Sequence, residues 1–169
     1  QHFPEKLLGE TLPDFKTAGK TLHEDDAVRL WTLDDEVLIA SIKTKMHAIS
    51  PDVCEGLNLA VEMAEKDFRG VVVWSGNEPF SVGADLQAML PAFMGAGVSA
   101  VEGAEHEMQQ TMLRLRYANV PVVSAIRGMA LGGGCELAVH SARRVVHMES
   151  YIGLVEVGVG LVPGADSLT

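Results

Sequence analysis

The residues from Val120 to Pro163, reading VPVVSAIRGMALGGGCELAVHSARRVVHMESYIGLVEVGVGLVP, constrain the fold more than any other stretch. An apolar β-type run, Val122 to Ile126, leads into a loop carrying Gly128 and then three consecutive glycines, Gly132, Gly133 and Gly134, after which Cys135 to Val139 has helical character. That order predicts a strand-to-helix turn. Adjacent glycines open torsions closed to other residues and let a ligand approach the main chain, while a helix start offers unpaired N–H donors and a partial positive charge. Such a turn can hold a negative oxygen. Glu136 falls in the first helical turn, and Glu156 lies in a second glycine-punctuated apolar segment, Tyr151 to Gly160. Taken singly, each feature also has a structural explanation: tight packing for the glycines, a dipole partner for Glu136, a solvent-facing side chain for Glu156.

The stretch Ser75 to Met89, SGNEPFSVGADLQAM, follows the apolar run Gly70 to Trp74 and repeats the pattern of strand, glycine-bearing loop and short helix. Upstream, Val28 to Leu33 and Val37 to Ile42 flank the acidic turn Asp34-Asp35-Glu36, which predicts an antiparallel hairpin. Ser50-Pro51 places a cap residue before a helix-starting proline, and Val53, Leu57, Ala60, Val61 and Ala64 share one face of a helix reaching about Lys66. From Ser99 to Tyr117 a further helix puts Met108, Met112 and Leu115 on one stripe. Core packing is the simplest role for that stripe, with an acyl channel as the alternative. Arg143 to Met148 reads as another strand. Strands alternating with helices predict an α/β fold with parallel pairing and right-handed crossovers. Residues 1–26 show no sustained period and read as an arm or linker, leaving 27–169 as the core.

Composition excludes several classes of function. Thirteen Lys and Arg against 23 Asp and Glu give a formal net charge of −10, without the basic run that neutralises phosphates, so nucleic acid is not an expected partner. Only two cysteines occur, Cys54 and Cys135, far apart and in segments expected to be helical, which suggests neither a disulfide framework nor a metal quartet. No HExxH is present, and the six histidines read as surface or locally bonded groups. No apolar run approaches the ~20 residues of a membrane helix, and QHFPEKLLGE lacks the pattern of a signal peptide, so a cytoplasmic location is expected. GxGxxG is absent as well, which removes the fingerprint of a dinucleotide fold.

Three segments in order, F-S-V-G-A-D-L at Phe80 to Leu86, G-M-A-L-G-G-G-C-E-L at Gly128 to Leu137 and E-V-G-V-G-L-V-P-G at Glu156 to Gly164, resemble the crotonase, or enoyl-CoA hydratase/isomerase, superfamily. The resemblance implies a spiral of ββα units and stabilisation of an enolate formed from an acyl-CoA thioester. On the matching positions the backbone N–H groups of Ala84 and Gly133 would meet the enolate oxygen. Both carboxylates of the hydratase-like subset are retained. By that resemblance Glu136 orients and activates water and Glu156 exchanges the α-proton, giving syn hydration of trans-2-enoyl-CoA in fatty acid β-oxidation. Double-bond isomerisation or another crotonase acyl-CoA activity such as thioester hydrolysis, or acyl-CoA binding without catalysis as part of a multifunctional β-oxidation protein, are the alternatives. The coenzyme A moiety would lie between Lys45 to Ala48 and the run Val82, Gly83, Ala84, Asp85 and Leu86. Gln87 stands where the family often has lysine, and Lys43 or Lys45 could take over its phosphate contact. No separate cofactor and no metal are expected, because coenzyme A enters with the substrate.

The family generally continues past its last motif with a glycine-rich turn and helices that close the acyl pocket and mediate trimer assembly. Here Pro163-Gly164-Ala165 is followed by Asp166-Ser167-Leu168-Thr169, so a missing C-terminal helical layer is expected, with an apolar face left uncovered. A homotrimer or larger assembly is expected of the complete protein. The N-terminal arm resembles the linker side of bacterial proteins that join a 3-hydroxyacyl-CoA dehydrogenase to a hydratase.

Overall fold

The computed structural model describes residues 17–86, 94–95 and 98–160. In chain order its elements are β1 (Lys20–Glu24), β2 (Val28–Thr32), β3 (Leu38–Ile42), α1 (Pro51–Asp67), β4 (Val71–Val73), α2 (Val98–Arg116), β5 (Val122–Ile126), β6 (Met129–Leu131), α3 (Gly133–His140), β7 (Arg143–Val146) and β8 (Tyr151–Gly153). Short 3-10 turns cover Lys45–His47 and Glu156–Val159. The end of the stretch Ser75 to Met89, where a short helix is expected, lies outside the described residues from Gln87 on, as does the segment after Gly160.

The hairpin β2–β3 forms where the alternation and acidic turn place it, with Val28 opposite Ile42 and Trp31 opposite Ile39. Asp34 fixes the turn by accepting from the amides of Glu36 and Val37 at 3.0 and 3.3 Å, the way a short carboxylate mimics a backbone acceptor. Strands β4, β5 and β7 join in parallel, giving a six-stranded sheet of order β1-β2-β3-β4-β5-β7. Ser50 caps α1 by accepting from Val53 N at 3.3 Å, Pro51 takes the first turn, and Val53, Leu57, Ala60, Val61 and Ala64 are buried. That face packs on β2, β3 and β4, while α2 lies across α1 and α3.

The arm region is not wholly outside the sheet. Strand β1 pairs antiparallel with β2 through an irregularity between Thr21 and His23, so the sheet begins at Lys20 rather than at Ala27. KTLHE is a mostly exposed edge strand, and without a buried face it carries no apolar alternation for a sequence reading to find.

A second, smaller layer gives the fold its repeat. Beside the parallel pair β6–β8, isolated parallel bridges join Ile49 to Ala84 and Ser81 to Ala130. Each of β3, β4, β5 and β7 is thus followed by a short extended piece in this layer, at Ile49, at Ser81 to Ala84, in β6 and in β8. Helix α1 follows the first piece and α3 the third, the ββα succession of a crotonase spiral. The glycine-rich turns sit at the C-terminal ends of these pieces, where the site is built.

Candidate active site

Ser81 organises the first half of the site. Its hydroxyl donates to the His47 carbonyl at 2.7 Å and accepts from Gly83 N at 3.1 Å. Its backbone pairs with Met129 and Leu131, both at 3.0 Å. The loop Lys45–Ile49 then runs alongside, with Val82 N donating to Met46 O, Ile49 N to Gly83 O and Asp85 N to Ile49 O. Ser81 was not singled out from sequence, although a serine two residues before a glycine is the local signal of such a turn.

Gly83 has φ +94°, and a β-carbon placed there would lie 2.8 Å from Leu131 O and 3.0 Å from Gly133 N. Only glycine allows this crossing of the two loops. From the other side, a β-carbon placed on Gly133 would lie 3.4 Å from Ala84 N and 3.5 Å from Gly83 Cα. The amides of Ala84 and Gly133 are therefore brought together. Among the described residues neither N–H has a hydrogen-bond acceptor. Gly133 opens α3, so its amide also carries the partial positive charge of a helix start.

Glu136, in the first turn of α3, is 1% exposed, and its backbone amide donates to Gly132 O at 3.0 Å. Glu156 arrives from the 3-10 turn after β8, and its Oε1 lies 3.0 Å from the point where Gly132 would carry a β-carbon. Gly132 has φ +51° and donates its amide to Gly153 O at 3.0 Å, tying β8 to the turn. Glu156 Oε2 is buried without a hydrogen-bond partner among the described residues. Cys135, between the turn and Glu136, reports on both acids: burial pushes its thiol up, and the Glu136 and Glu156 carboxylates push it further the same way. The structure thus gathers Ala84, Gly133, Glu136 and Glu156 around one glycine turn.

The expected coenzyme A positions lie on the Ala84 side. Val82 and Asp85 are half-buried, Gly83 and Ala48 buried, and Leu86 and Lys45 exposed. Lys43 is already held, by Glu24 at 2.9 Å and by the Asp25 carbonyl. The Lys45 ammonium has no hydrogen bond or ion pair among the described residues, while its backbone carbonyl accepts from Ala48 N at 3.2 Å. Of the histidines discussed above, His140 is buried with Nδ1 paired to the Glu136 carbonyl at 2.8 Å, while His147 is exposed. No helix among the described residues is long and apolar enough to cross a membrane.

Comparison with known proteins places this geometry. Residues 37–168 match the family model described as enoyl-CoA hydratase/isomerase. A Rickettsia felis protein whose name describes a fatty acid oxidation complex trifunctional enzyme is 37% identical over 156 residues, 92% of this chain and 22% of its own length. The peroxisomal bifunctional enzyme of Cavia porcellus is 40% identical over 123 residues, covering 71% of this chain and 16% of that protein. This chain therefore spans about a fifth of the length of the curated relatives it matches. Among solved structures, an enoyl-CoA hydratase from Bacillus anthracis superposes with a TM-score of 0.73 at 26% identity, over 82% of this chain and 54% of that one. With two amides and two acids on the glycine turns of a ββα spiral, and a family match over most of its length, the chain belongs to the enoyl-CoA hydratase/isomerase family, the crotonases.

Proposed function

We propose that the protein hydrates trans-2-enoyl-CoA thioesters. In that reaction a water oxygen attacks the β-carbon, the double-bond electrons move toward the thioester, and charge collects on its oxygen. The N–H groups of Ala84 and Gly133 would receive that oxygen without reorganising, a contribution of about 2.7–4 kcal/mol per donor in sites of this kind. Glu136 would take the proton from water as it attacks, and Glu156 would deliver a proton to the α-carbon, so that the net change is addition of water. The observation that carries the reading is the pair of amides brought close at the Gly83–Gly133 crossing without an acceptor among the described residues, with a Glu156 oxygen at the same turn that likewise has no partner among them. Two adjacent acids favour hydration over isomerisation, because handling water and the α-proton separately needs two groups.

Lys45 is the residue we assign to the phosphates of the carrier, since Lys43 is engaged elsewhere. Incubation with crotonyl-CoA, followed by loss of the enoyl absorbance, tests the reading. Hydration is expected, and Glu136→Gln and Glu156→Gln should each lower kcat by about 10²–10⁴-fold with little change in KM. Conversion of a 3-enoyl thioester without hydration would make the site an isomerase. Binding of acyl-CoA without turnover of either would make it a binding module.

A further inference from the structure

We infer that Met108 is the wall of the acyl side of this site and sets the chain length it accepts; the inference rests on the thioester reading above. Met108 stands on α2, half-buried and packed against the core. Its methyl carbon lies 2.8 Å from the point where Gly133 would carry a β-carbon, and that same point is 3.4 Å from Ala84 N. A thioether methyl therefore closes the α2 side of the space shared by the two unpaired amides. Met112 and Leu115, next on the same stripe, are sealed in the core, so Met108 is where that apolar stripe reaches the site.

The loop beside Val82 to Asp85 has different chemistry. The loop Lys45–His47 faces Val82 to Asp85, and Lys45 is an exposed cation without a partner among the described residues. An acyl thioester has two dissimilar ends on either side of its carbonyl: a hydrocarbon chain, and a carrier bearing phosphates. With the oxygen held at Ala84 and Gly133, the cation orients the carrier toward Lys45 and leaves the hydrocarbon against Met108. Methionine is unbranched and soft, so it yields to short chains and resists longer ones by degrees.

The test compares kcat/KM for crotonyl-CoA and trans-2-decenoyl-CoA in the wild-type protein and in Met108→Ala, Met108→Leu and Met108→Phe, each first shown to melt cooperatively. Met108→Ala opens room for about two methylenes and should raise the decenoyl-to-crotonyl ratio by about tenfold. Met108→Phe should lower the ratio, and Met108→Leu, of similar volume, should leave it near wild type. Ratios that stay within about twofold across all four proteins, with crotonyl-CoA still hydrated, would overturn the Met108 assignment and leave the hydratase reading intact. If the wild type hydrates neither thioester, the hydratase reading fails. The Met108 assignment is then decided by the ratio of dissociation constants for butanoyl-CoA and decanoyl-CoA, which should move in the same order across the variants. An unmoved ratio there overturns it.

Discussion

Strands β2 (VRLWT) and β7 (RRVV) belong to one sheet and both combine arginine with apolar residues, yet β2 is buried at every position and β7 is exposed at every position. The difference lies in what covers them. Arg29 of β2 is bound by Thr21 Oγ1 at 2.9 Å and Ala18 O at 2.8 Å, and its guanidinium stands 4.8 Å from the centre of the Trp31 ring. Trp31 in turn donates to Ser41 Oγ at 2.9 Å, and α1 covers the other face. Arg144 of β7 instead reaches the Ala138 and Val139 carbonyls at the end of α3 and the Ser141 carbonyl just beyond it, at 3.2 to 3.3 Å. A cation there complements the negative end of the helix but buries nothing. Val145, Met148 and Tyr151 are 65%, 99% and 73% exposed, and no described element covers them. Burial in this mixed sheet thus follows from the layer packed on each strand. The glycine turn, Gly132 to Glu136, lies at the seam between the two regions, with α3 buried on one side and Gly153 of β8 and Glu156 reaching it from the exposed one.

Removing apolar volume separates the two regions most strongly. Leu57→Ala, in the face of α1 that covers β2, should cost about 2–5 kcal/mol in urea unfolding. A smaller effect is expected in acid, where Glu65 of α1 is clamped to Arg114 of α2 at 2.5 and 2.8 Å and accepts from Asn119 N at 2.9 Å. The hydrogen bonds from Arg114 lead in holding the Glu65 carboxyl at about 2, against an ordinary value of 4.5. Because the folded value is the lower one, this stabilisation is present above pH 4.5 and is lost as the pH falls toward 2. Glu65→Gln should flatten that part of the melting temperature's acid limb and leave the limb below it unchanged. On the uncovered side Val145→Ala should change stability by no more than about 0.5 kcal/mol. The apolar run that no described element covers should instead show itself in association: the melting temperature should rise with protein concentration, and Ile152→Lys should abolish the rise. A loss from Val145→Ala as large as that from Leu57→Ala would erase the distinction.

Sequence served best where the cause is local. Ser50-Pro51 announces α1 because a cap and a fixed φ act within one turn, and Glu136 is found by its place after three glycines. Strands β6 and β8 escape because each has only three residues, and what makes them strands is remote pairing, Ser81 with Ala130 and Met129 with Tyr151. Met108 is visible as part of a helical stripe, but only the crossing of α2 over Gly133 reveals that its end reaches the site. The convergence of Ala84 with Gly133 is likewise a fact of two loops far apart in the chain. Only the motifs' resemblance to a family suggested it.

The account's central claim is that the Ala84 and Gly133 amides together receive a thioester enolate oxygen. The most direct measurement is the ¹H–¹⁵N spectrum of the protein titrated with acetoacetyl-CoA, a thioester that enolises without needing water. The account predicts that the amide protons of Ala84 and Gly133 move downfield together, with one binding constant, and by more than those of Gly132 and Asp85, whose N–H groups already donate to Gly153 and Ile49. Saturable binding that leaves the Ala84 and Gly133 resonances in place while others shift would contradict it.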